Sequence, residues 1–555
     1  MRQDFTGPIA VLTARRLGDV VSLLEKVERH AREGRWAVGM VAYEAASVFD
    51  DAFQTLPPSE GIPLAAFAIF DAPSEPDEDT AKAVFRCSHW QSDIAPAVFR
   101  KKVEDIREGI AAGAYYQVNL TTRLRAKFEG EPRAFFDSLC EAQPGAYALF
   151  LDFGEWQIAS VSPELFFAWN PATAEIVARP MKGTAPPSQS AAYLRASTKD
   201  RAENLMIVDL LRNDIARVAR QGSVRVPELF TIETFATVRQ MTSTIIGETV
   251  PGMDLATIFA ALFPCGSITG APKIAAMQAI AALESSPRGA YCGALGVVQP
   301  GGAALFSVGI RTVTIANGEA ECGVGSGITW DSNPAEEHQE CQIKRRFLLR
   351  ASAAFDLLES IKLEDGVYWL LGRHCERLQR SAEHFGFPFD VADVNRALQA
   401  TAEQNPTGAH AVRLLLSRHG TIAIETRPLP VTAAHPLAAL ARTAISSDDE
   451  YLHHKTTHRA VYEAHAPEIA GIFDTLLFNE RGEITEFTRG NVATELDGSL
   501  ITPPQSSGLL PGTLRAEMLA EGKLIERVLK RDDLDRASAI WFLNSLRGMF
   551  RVRLA

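Results

Sequence analysis

The stretch Asp200-Arg-Ala-Glu203-Asn-Leu-Met-Ile-Val-Asp-Leu-Leu-Arg-Asn-Asp214 combines apolar residues at helical spacing with acidic residues. Asp200 and Glu203 stand three residues apart, so they share one face of a helix. Glu337 and Glu340 repeat this spacing in a later segment. Two acidic pairs that meet at one point would offer the oxygen ligands that Mg²⁺ prefers. Most charge clusters lie on a solvated surface, so each pair taken alone also fits an exposed helix face.

Strand-like runs such as 147–151 and 305–310 alternate with helical stretches such as 205–217, without a regular βα repeat. The sequence therefore predicts the α+β class. With 555 residues the chain exceeds a single hydrophobic core, because cores stop growing at roughly 250–300 residues. A second set of motifs begins at Arg373, and no Gly- or Pro-rich linker precedes it. We place the boundary near 350–360, which predicts domains at 1–350 and 355–555.

Composition and charge argue against several classes of protein. The net charge of −12 disfavours binding to nucleic acid or to an anionic membrane surface, which both favour basic patches. No apolar run reaches the roughly 18 residues of a membrane span, and the first residues lack the apolar core of a signal peptide. The 7 cysteines include no Cys-x-x-Cys pair, so we expect reduced thiols in the cytoplasm.

Two further segments of the first half carry candidate chemistry. In Phe263-Pro-Cys-Gly-Ser-Ile-Thr-Gly-Ala-Pro-Lys273 a glycine-containing loop leads into a helix, whose free backbone N–H groups would attract a carboxylate. The same segment also fits an ordinary capped helix. In Arg179-Pro-Met-Lys182-Gly-Thr184 a lysine lies at a turn between polar loops. A lysine in such a place is most often exposed to solvent.

Taken together, these segments resemble the chorismate-utilising enzymes, which include anthranilate synthase, isochorismate synthase and aminodeoxychorismate synthase component I. The resemblance extends over roughly Trp36 to Phe347. It implies a chorismate-binding fold of large β-sandwich-like sheets flanked by helices. It also implies a Mg²⁺ ion held chiefly by Glu203 and Glu340, with Asp200 and Glu337 in support. By the same resemblance, a set of residues binds or lines the substrate: Thr269, Gly270, Ala271, Tyr291, Arg311 and Gly325.

The residue at position 182 separates the members of this family. The aminodeoxychorismate branch has Pro-Ile-Lys-Gly-Thr, whereas anthranilate synthase has alanine at the lysine position, and this chain has Pro180-Met-Lys182-Gly-Thr. The resemblance implies that Lys182 is a covalent nucleophile that expels the C4 hydroxyl of chorismate before ammonia enters. Glu164 matches the acid that protonates the departing hydroxyl. Many relatives carry histidine where this chain has Gln240, which cannot titrate.

The second half contains four short segments that are individually weak: Arg373-His-Cys-Glu-Arg377, His454-Lys455, Thr485-Glu486-Phe-Thr-Arg-Gly-Asn491 and Leu510-Pro-Gly-Thr513-Leu514. In this order and spacing they resemble the class IV pyridoxal-phosphate enzymes, which are branched-chain and D-amino-acid aminotransferases and aminodeoxychorismate lyase. The resemblance implies two small α/β subdomains and a pyridoxal 5'-phosphate cofactor. Such a cofactor needs a lysine, an acid beside its pyridine nitrogen and donors around its phosphate.

By this match Lys455 binds the cofactor covalently and later moves protons, and Glu486 keeps the pyridine nitrogen protonated. The phosphate would be held by Arg377 and by backbone amides, namely those of Thr513, Leu514, Val492 and Ala493. The segment Asn544-Ser-Leu-Arg547-Gly548 is similar to the end of lyase-type members, and Arg547 is expected to meet a substrate carboxylate. Class IV relatives are usually dimers, but the fused first domain could alter this, so a homodimer through this domain and another oligomeric state both stay open.

The combined resemblance predicts a bifunctional enzyme of folate synthesis. Chorismate and ammonia would give 4-amino-4-deoxychorismate, which the second domain would cleave to para-aminobenzoate and pyruvate. No glutaminase-like segment is present, so a separate glutamine amidotransferase subunit is the expected source of ammonia. Two alternatives stay open: an anthranilate synthase-like component fused to a class IV aminotransferase, and a second domain that has become a binding or scaffold module.

Overall fold

The chain folds into two units, Met1–Ala353 and Ala354–Ala555. The structure is a computed structural model. It describes residues 2–59, 61–75, 84–185, 190–234, 239–352, 355–430, 436–467, 469 and 471–555. The division falls between residues 350 and 360, where the sequence places the boundary. The assignment of one activity to each unit stays a prediction.

The strands of the first unit are β1 (Ala10–Ala14), β2 (Trp36–Val41), β3 (Ala65–Phe70), β4 (Phe85–Cys87), β5 (Gln91–Ser92), β6 (Gln117–Gly130), β7 (Tyr147–Asp152), β8 (Trp156–Ser162), β9 (Leu165–Asn170), β10 (Glu175–Arg179), β11 (Met181–Ala185), β12 (Arg225–Thr234), β13 (Arg239–Glu248), β14 (Gly270–Ala271), β15 (Ala294–Val298), β16 (Ala304–Val308), β17 (Thr312–Ala316) and β18 (Glu319–Ile328). Its helices are α1 (Leu17–Arg32), α2 (Pro96–Ala111), α3 (Pro132–Ala142), α4 (Ala191–Ala196), α5 (Thr198–Ala216), α6 (Leu255–Leu262), α7 (Lys273–Leu283), α8 (Pro334–Lys344) and α9 (Arg346–Ser352).

These strands form two large sheets. One runs in the order β1-β3-β2-β15-β16-β9-β10-β13-β11, with β12 added on β13, and the other runs β14-β6-β18-β17-β8-β7, with β4 and β5 added on β6. Apolar residues of β2 and β3 pack against those of β7 and β8, which joins the two sheets face to face. Helices α1, α5 and α6 cover the first sheet, and α2, α3, α7 and α9 cover the second. The predicted α+β architecture of sandwiched sheets with flanking helices is confirmed.

Side-chain caps set where the two acidic helices begin. Ser197 precedes α5, and its hydroxyl oxygen accepts a hydrogen bond of 3.2 Å from the backbone N–H of Asp200. Asn333 precedes α8, and its side chain accepts a bond of 2.9 Å from the N–H of Ala335. Pro334 stands at the first helical position, where its missing N–H is not needed. These starts fix which residues share a helix face.

The strands of the second unit are β19 (Leu357–Glu364), β20 (Val367–Tyr368), β21 (Ala409–Leu416), β22 (Ile422–Pro428), β23 (Leu437–Leu440), β24 (Ile472–Phe478), β25 (Ile484–Phe487), β26 (Gly490–Leu496), β27 (Ser499–Thr502), β28 (Ile525–Glu526), β29 (Ala539–Asn544) and β30 (Gly548–Leu554). Its helices are α10 (Leu371–Phe385), α11 (Val391–Gln404), α12 (Glu450–His453), α13 (Ala460–Ala464), α14 (Thr513–Ala520) and α15 (Asp533–Arg536).

The second unit contains two subdomains, each built on its own sheet. The first sheet has the order β20-β19-β21-β22, and α10 and α11 pack on it. The second has the order β25-β24-β23-β30-β29-β26-β27-β28, with β25 also paired to β26. This arrangement agrees with the two small α/β subdomains expected from the sequence. Among the residues that the structure describes, no helix is long and apolar enough to cross a membrane.

Candidate functional site

A row of glycines forms one face of β18. Gly323, Gly325 and Gly327 alternate along the strand, so they point the same way. The ring of Tyr291 packs against Gly323, and a Cβ atom built on Gly325 would lie 3.0 Å from the Tyr291 hydroxyl oxygen. A Cβ atom built on Gly327 would lie 2.9 Å from the Lys182 amine. The glycine row therefore brings Tyr291 and Lys182 to the same strand face.

Lys182 is half-buried on β11, and its backbone is tied to α5. The side-chain amide of Asn204 donates to the Lys182 carbonyl oxygen at 3.5 Å, and Ser243 donates to the Asn204 side chain at 2.7 Å. A Cβ atom on Gly183 would lie 2.9 Å from the Cβ of Asp200, so β11 and α5 are in close contact. This packing places the predicted nucleophile beside the first acidic pair.

Glu164 has an environment that favours the protonated carboxyl. Its side chain is 3% exposed, and the Ser267 hydroxyl donates to its Oε1 at 2.6 Å. Burial raises the pKa of Glu164 to about 7, although Ser267 and the charge of Lys182 act in the opposite direction. A carboxyl with this pKa holds its proton close to neutral pH, which is the requirement for a general acid.

The side chain of Gln117 was not found from the sequence. It is 1% exposed on β6, and neither of its amide atoms has a hydrogen-bond partner among the described residues. Its Nε2 atom faces Gly327, on the same side as the Lys182 amine. An unpartnered buried amide costs about 1–3 kcal/mol, which is tolerated when a ligand completes its bonds. The strand also carries Asn119, Thr121 and Thr122, so nothing in its sequence singles out this amide.

The loop before α7 is joined to the same strand. Gly270 and Ala271 pair with Val118 and Gln117, and the Asn119 N–H donates to the Thr269 carbonyl oxygen at 2.8 Å. Gly270 has a φ of +144°, and a Cβ atom there would collide with the Gln117 carbonyl oxygen. This pairing brings Thr269, Gly270 and Ala271 beside Gln117.

Helices α5 and α8 are linked by an ion pair of 3.7 Å between Lys199 and Glu337. Burial raises the pKa of Glu203, Lys182 and Lys199 oppose this shift, and Glu340 and Glu337 reinforce it. Lys344 forms an ion pair of 2.7 Å with Glu340. These interactions show that α5 and α8 present their carboxylates to a common region that also contains Lys182.

The carboxylates have the chemistry that Mg²⁺ prefers, but several of their oxygens already have partners. Glu337 accepts hydrogen bonds from Ser326 and, at 2.7 Å, from Ser332. Within the described ranges no group of three or more His, Cys, Asp or Glu side chains is arranged to hold a metal ion. Glu203 and Glu340 offer the carboxylate chemistry that the ion needs, although Lys344 pairs with Glu340, and the Mg²⁺ site stays a prediction.

Arg311 and Gln240 are two further residues that the sequence singles out. Arg311 donates to Gln143 and lies 5.9 Å from the centre of the Phe347 ring. Burial lowers the pKa of Arg311 to about 10, and no carboxylate of the described residues pairs with it, so an anionic group would suit it. Among the described residues Arg311 contacts neither Tyr291 nor Lys182. Gln240 lies on β13 opposite Thr184, and its Oε1 is buried without a partner among the described residues.

In the second unit Lys455 lies against β19. The N–H of Leu358 donates to the Lys455 carbonyl oxygen at 2.9 Å. Burial lowers the pKa of Lys455 to about 8, and the positive charges of Arg377 and Arg459 add to this effect, whereas Glu359 and Glu486 oppose it. A substantial fraction of the amine is therefore neutral near physiological pH, as a carbonyl-binding lysine requires.

Glu486 is 2% exposed and is held by three donors. The Tyr462 hydroxyl donates at 2.7 Å and the Leu510 N–H at 3.0 Å to Oε1, and the Asn491 amide donates at 3.2 Å to Oε2. Burial raises the pKa of Glu486 to about 8. A buried carboxyl of this kind can share a proton with a ring nitrogen, such as that of a pyridine, and the two groups then form an ion pair.

Arg377 is locked in place by Glu359. The two side chains form a pair of bonds at 2.8 and 2.6 Å, and His374 also contacts Glu359 at 2.6 Å. Burial raises the pKa of Glu359, but Arg377 and His374 outweigh it and hold the value at about 2. A further Arg377 N–H donates to the Pro511 carbonyl oxygen at 3.3 Å. The guanidinium is thus oriented beside the start of α14.

The remaining predicted cofactor residues lie at the start of α14 and on β26. Thr513 and Leu514 occupy the first turn of α14, where backbone N–H groups lack helical partners and attract anions. Val492 and Ala493 are buried on β26, where the strand pairs with β29. A Cβ atom on Gly512 would collide with the Asn491 side chain. Lysine, acid and phosphate donors are all present, so this set fits pyridoxal phosphate.

Sequence reasoning missed four side chains of these sites: Gln117, Glu359, Tyr462 and Asn491. Glu359, Tyr462 and Asn491 each contact a predicted residue from a distant part of the chain or across a strand pair. The Gln117 amide instead faces Gly327 without a hydrogen-bond partner among the described residues. Arg547, which was predicted, lies on the turn after β29, and its Nε is buried without a partner among the described residues. Among the described residues, Arg547 forms no hydrogen bond or ion pair with Lys455.

Comparison with known proteins places both units in families. Residues 7–350 match the chorismate binding enzyme family, and residues 356–555 match the amino-transferase class IV family. Aminodeoxychorismate synthase component 1 of Salmonella typhimurium is 42% identical over 260 residues, which are 46% of this chain and 57% of that protein. The component 1 enzyme of Escherichia coli gives the same identity, 42%, with the same coverage of 46% and 57%. The chain thus spans little more than half the length of these relatives.

A solved structure supports the fold of the first unit. Anthranilate synthase component I from Streptococcus pneumoniae superposes with a TM-score of 0.56 and 25% sequence identity, over 62% of this chain and 91% of that one. The glycine face of β18, the buried acid and the paired acidic helices occur in the part of the chain that the first family covers. This chain therefore belongs to the chorismate binding enzyme family, and its residues 356–555 match the amino-transferase class IV family.

Proposed function

We propose that this chain makes para-aminobenzoate from chorismate in two steps, one in each unit. The observation that carries the proposal is the meeting of the Lys182 amine, the Glu164 carboxyl and the glycine face of β18. The first step would form 4-amino-4-deoxychorismate from chorismate and ammonia. The second step would cleave this compound to para-aminobenzoate and pyruvate.

In the first step the Lys182 Nζ would form a C–N bond with the chorismate ring while the C4–O bond breaks. Glu164 would give its proton to the leaving hydroxyl, which departs as water, and the pKa of about 7 supports this role. Ammonia would then form the C4–N bond as the bond to Lys182 breaks. Arg311 and the amides of the loop at 269–271 would hold the substrate's carboxylates.

A Mg²⁺ ion on Glu203 and Glu340 is part of this proposal, with Asp200 and Glu337 in support. It would hold the ring carboxylate and cancel negative charge beside Lys182. Removal of the metal with EDTA is expected to abolish formation of aminodeoxychorismate and to leave cleavage of added aminodeoxychorismate unchanged. Equal loss of both reactions would contradict a metal site that belongs to the first unit.

In the second step pyridoxal phosphate, when bound, would supply an electron sink for elimination of pyruvate. Glu486 would hold a proton at the pyridine nitrogen, and the Lys455 Nζ would move the proton during elimination. Arg377 and the first turn of α14 would bind the phosphate. The buried glutamate and the lysine with a pKa of about 8 support these roles.

The relatives named component 1 support a second component that supplies ammonia. We propose a separate glutamine amidotransferase subunit as this partner, so glutamine would serve as nitrogen donor only when that subunit is added. A cytoplasmic location and a homodimer through residues 355–555 remain predictions. Light scattering of the purified chain would measure its oligomeric state.

The decisive experiment is an incubation of the purified protein with chorismate, Mg²⁺, an ammonium salt and pyridoxal phosphate, with products separated chromatographically. Para-aminobenzoate and pyruvate in equal amounts are the expected result. Lys182→Ala and Lys455→Ala are each expected to abolish it, whereas Lys523→Ala, at an exposed lysine, serves as the matched control. Anthranilate as the product would contradict the assignment of the first unit, and aminodeoxychorismate that accumulates uncleaved would contradict that of the second.

A further inference from the structure

Two turns of the second unit lie side by side next to Glu486. The first turn joins β25 to β26 and contains Thr488 and Arg489, and the second follows β29 and contains Arg547. Strand pairing brings them together, because Asn491 on β26 lies opposite Leu543 on β29. The side chain of Asn544 also donates to the Arg489 carbonyl oxygen at 3.1 Å.

The two arginines of these turns share one aromatic ring. The guanidinium of Arg489 lies 4.8 Å from the centre of the Phe473 ring, and that of Arg547 lies 5.6 Å from it. Burial and the nearby charge of Arg489 lower the pKa of Arg547. The Nε of Arg547 is buried without a partner within the described ranges. Two like charges are thus held close together around one ring.

Their environment contains too little negative charge to balance them. Asp474 accepts a hydrogen bond of 3.1 Å from the Arg489 Nε through Oδ2. Its Oδ1 is occupied by the Thr488 hydroxyl at 2.6 Å and the Thr488 N–H at 3.1 Å. Among the described residues Arg547 forms no ion pair, so one carboxylate serves two guanidiniums. Partly buried like charges of this kind are stabilised when an anion binds between them.

The pair is connected to the residues that we assign to the cofactor. Arg459, four residues after Lys455, donates to the Thr488 carbonyl oxygen at 2.7 Å. Its guanidinium lies 4.5 Å from the ring centre of Tyr462, whose hydroxyl bonds Glu486. Thr488 is also two residues after Glu486 on the same hairpin. A substrate whose amine reaches Lys455 would extend toward this turn.

We propose that Arg489 and Arg547 form a subsite for a second carboxylate of the substrate, so the second unit selects amines with two carboxylates over amines with one. This inference rests on the proposed function of the second unit. Guanidinium and carboxylate match each other in a planar, two-bond geometry. Phe473 holds both guanidiniums within 6 Å of its ring centre, at 4.8 and 5.6 Å, so one carboxylate can reach both.

The first test measures pyruvate release from aminodeoxychorismate by the holoenzyme. In Arg547→Gln the KM is expected to rise about 10–100-fold, from loss of a charged hydrogen bond, while kcat changes less than about 3-fold. Arg547→Lys keeps the charge and is expected to recover part of the loss. Arg551→Gln changes an exposed arginine of β30 that donates to the Ser538 carbonyl oxygen, and it is the control. An unchanged KM in Arg547→Gln would overturn the subsite.

The second test does not depend on lyase activity. Binding of isophthalate and of benzoate to the holoenzyme is measured by calorimetry, because these rings carry two carboxylates and one. Isophthalate is expected to bind at least about 10-fold more tightly than benzoate, from one added charged contact, and Arg547→Gln should remove this preference. Retention of the preference in the variant, or its absence in the unsubstituted enzyme, would overturn the proposal. If no pyruvate forms but the preference is present, the proposed lyase activity fails and the subsite stands.

Discussion

The two sites both contain a half-buried lysine beside a buried glutamate, but their surroundings differ in charge. Lys182 lies among the carboxylates of two acidic helices, whereas Lys455 lies between Arg377 and Arg459 with Glu359 and Glu486 in balance. The glutamates differ too, since Glu164 accepts from the Ser267 hydroxyl and the Met181 backbone, and Glu486 accepts from three donors. In the first site, a bound cation would neutralise the negative charge of the carboxylates around the lysine. In the second site, the arginines around the lysine would bind the negatively charged phosphate of a cofactor.

Removal of one lysine at a time should separate the two sites most clearly. Lys182→Ala is expected to reduce formation of aminodeoxychorismate by at least about 10³-fold, because loss of a covalent nucleophile is rarely compensated. The same variant, supplied with aminodeoxychorismate, should form para-aminobenzoate at the unsubstituted rate. Chromatography of both reactions checks this separation.

Lys455→Ala should give the opposite result, with aminodeoxychorismate accumulating at the normal rate. A variant that loses both reactions would show that the two sites are not independent. Circular dichroism of each variant confirms that folding is unchanged.

Glu164→Gln tests the acid of the first site. The rate of the first step is expected to fall about 10²–10⁴-fold, the usual contribution of a positioned general acid. In the unsubstituted enzyme this rate should fall as pH rises through about 7, since the acid works only when it is protonated. The pH profile is measured with ammonia kept saturating in its neutral form.

Ser267→Ala provides the matched control for this profile. The Ser267 hydroxyl stabilises the Glu164 carboxylate and so lowers its pKa. Its removal is therefore expected to move the descending limb to higher pH. A limb that stays in place would assign the pH dependence to another group.

Glu359→Gln tests how the second site holds its arginine. Loss of a buried partner is expected to lower the free energy of unfolding of this unit by about 3–5 kcal/mol, because Arg377 is left unpaired. Since the folded pKa of Glu359 is about 2, below the ordinary 4.5, its stabilisation is present above pH 4.5 and is lost as pH falls through 2. Urea titration and the affinity for pyridoxal phosphate are both measured.

Glu364→Gln is the control, because Glu364 lies on the same strand, is 57% exposed and pairs with Lys362. Its effect should stay below about 1 kcal/mol, as for other surface ion pairs. Equal effects of the two substitutions would mean that Glu359 does not position Arg377.

The smallest expected effect concerns Gln117. Gln117→Leu replaces an unpartnered buried amide by an apolar side chain of similar size, so stability should be unchanged or rise by about 1 kcal/mol. The rate of the first step should nevertheless fall, if the amide completes its bonds with the ligand. Thermal unfolding and the first-step assay together check this. A destabilised variant with normal activity would assign Gln117 a structural role.

The sequence identified the residues that lie in ordered motifs, and it failed where a contact joins distant segments. Four candidates were singled out because each lies within a recognisable local pattern: Lys182, Glu164, Lys455 and Glu486. Glu359 was missed since its importance comes only from Arg377, 18 residues away, and Tyr462 since it acts on Glu486, 24 residues away. The α+β class and the boundary near 350–360 follow from periodicity and motif order. The role of the glycine face of β18 could not be predicted, because it depends on strand pairing that places Gln117, Lys182 and Tyr291 beside it.

That glycine face has a consequence for how selectivity can change. A strand face without side chains exposes only flat peptide groups. Any side chain added there would clash with neighbouring atoms and would not form a new contact. Substitutions at 323, 325 or 327 would therefore fill the space above the strand and would not change substrate preference gradually. New substrate preferences must come from the residues that look down on it, such as those at 117, 182 and 291. In the proposed function, the glycine face would determine which ring shape fits, and the side chains opposite it would determine the reaction of that ring.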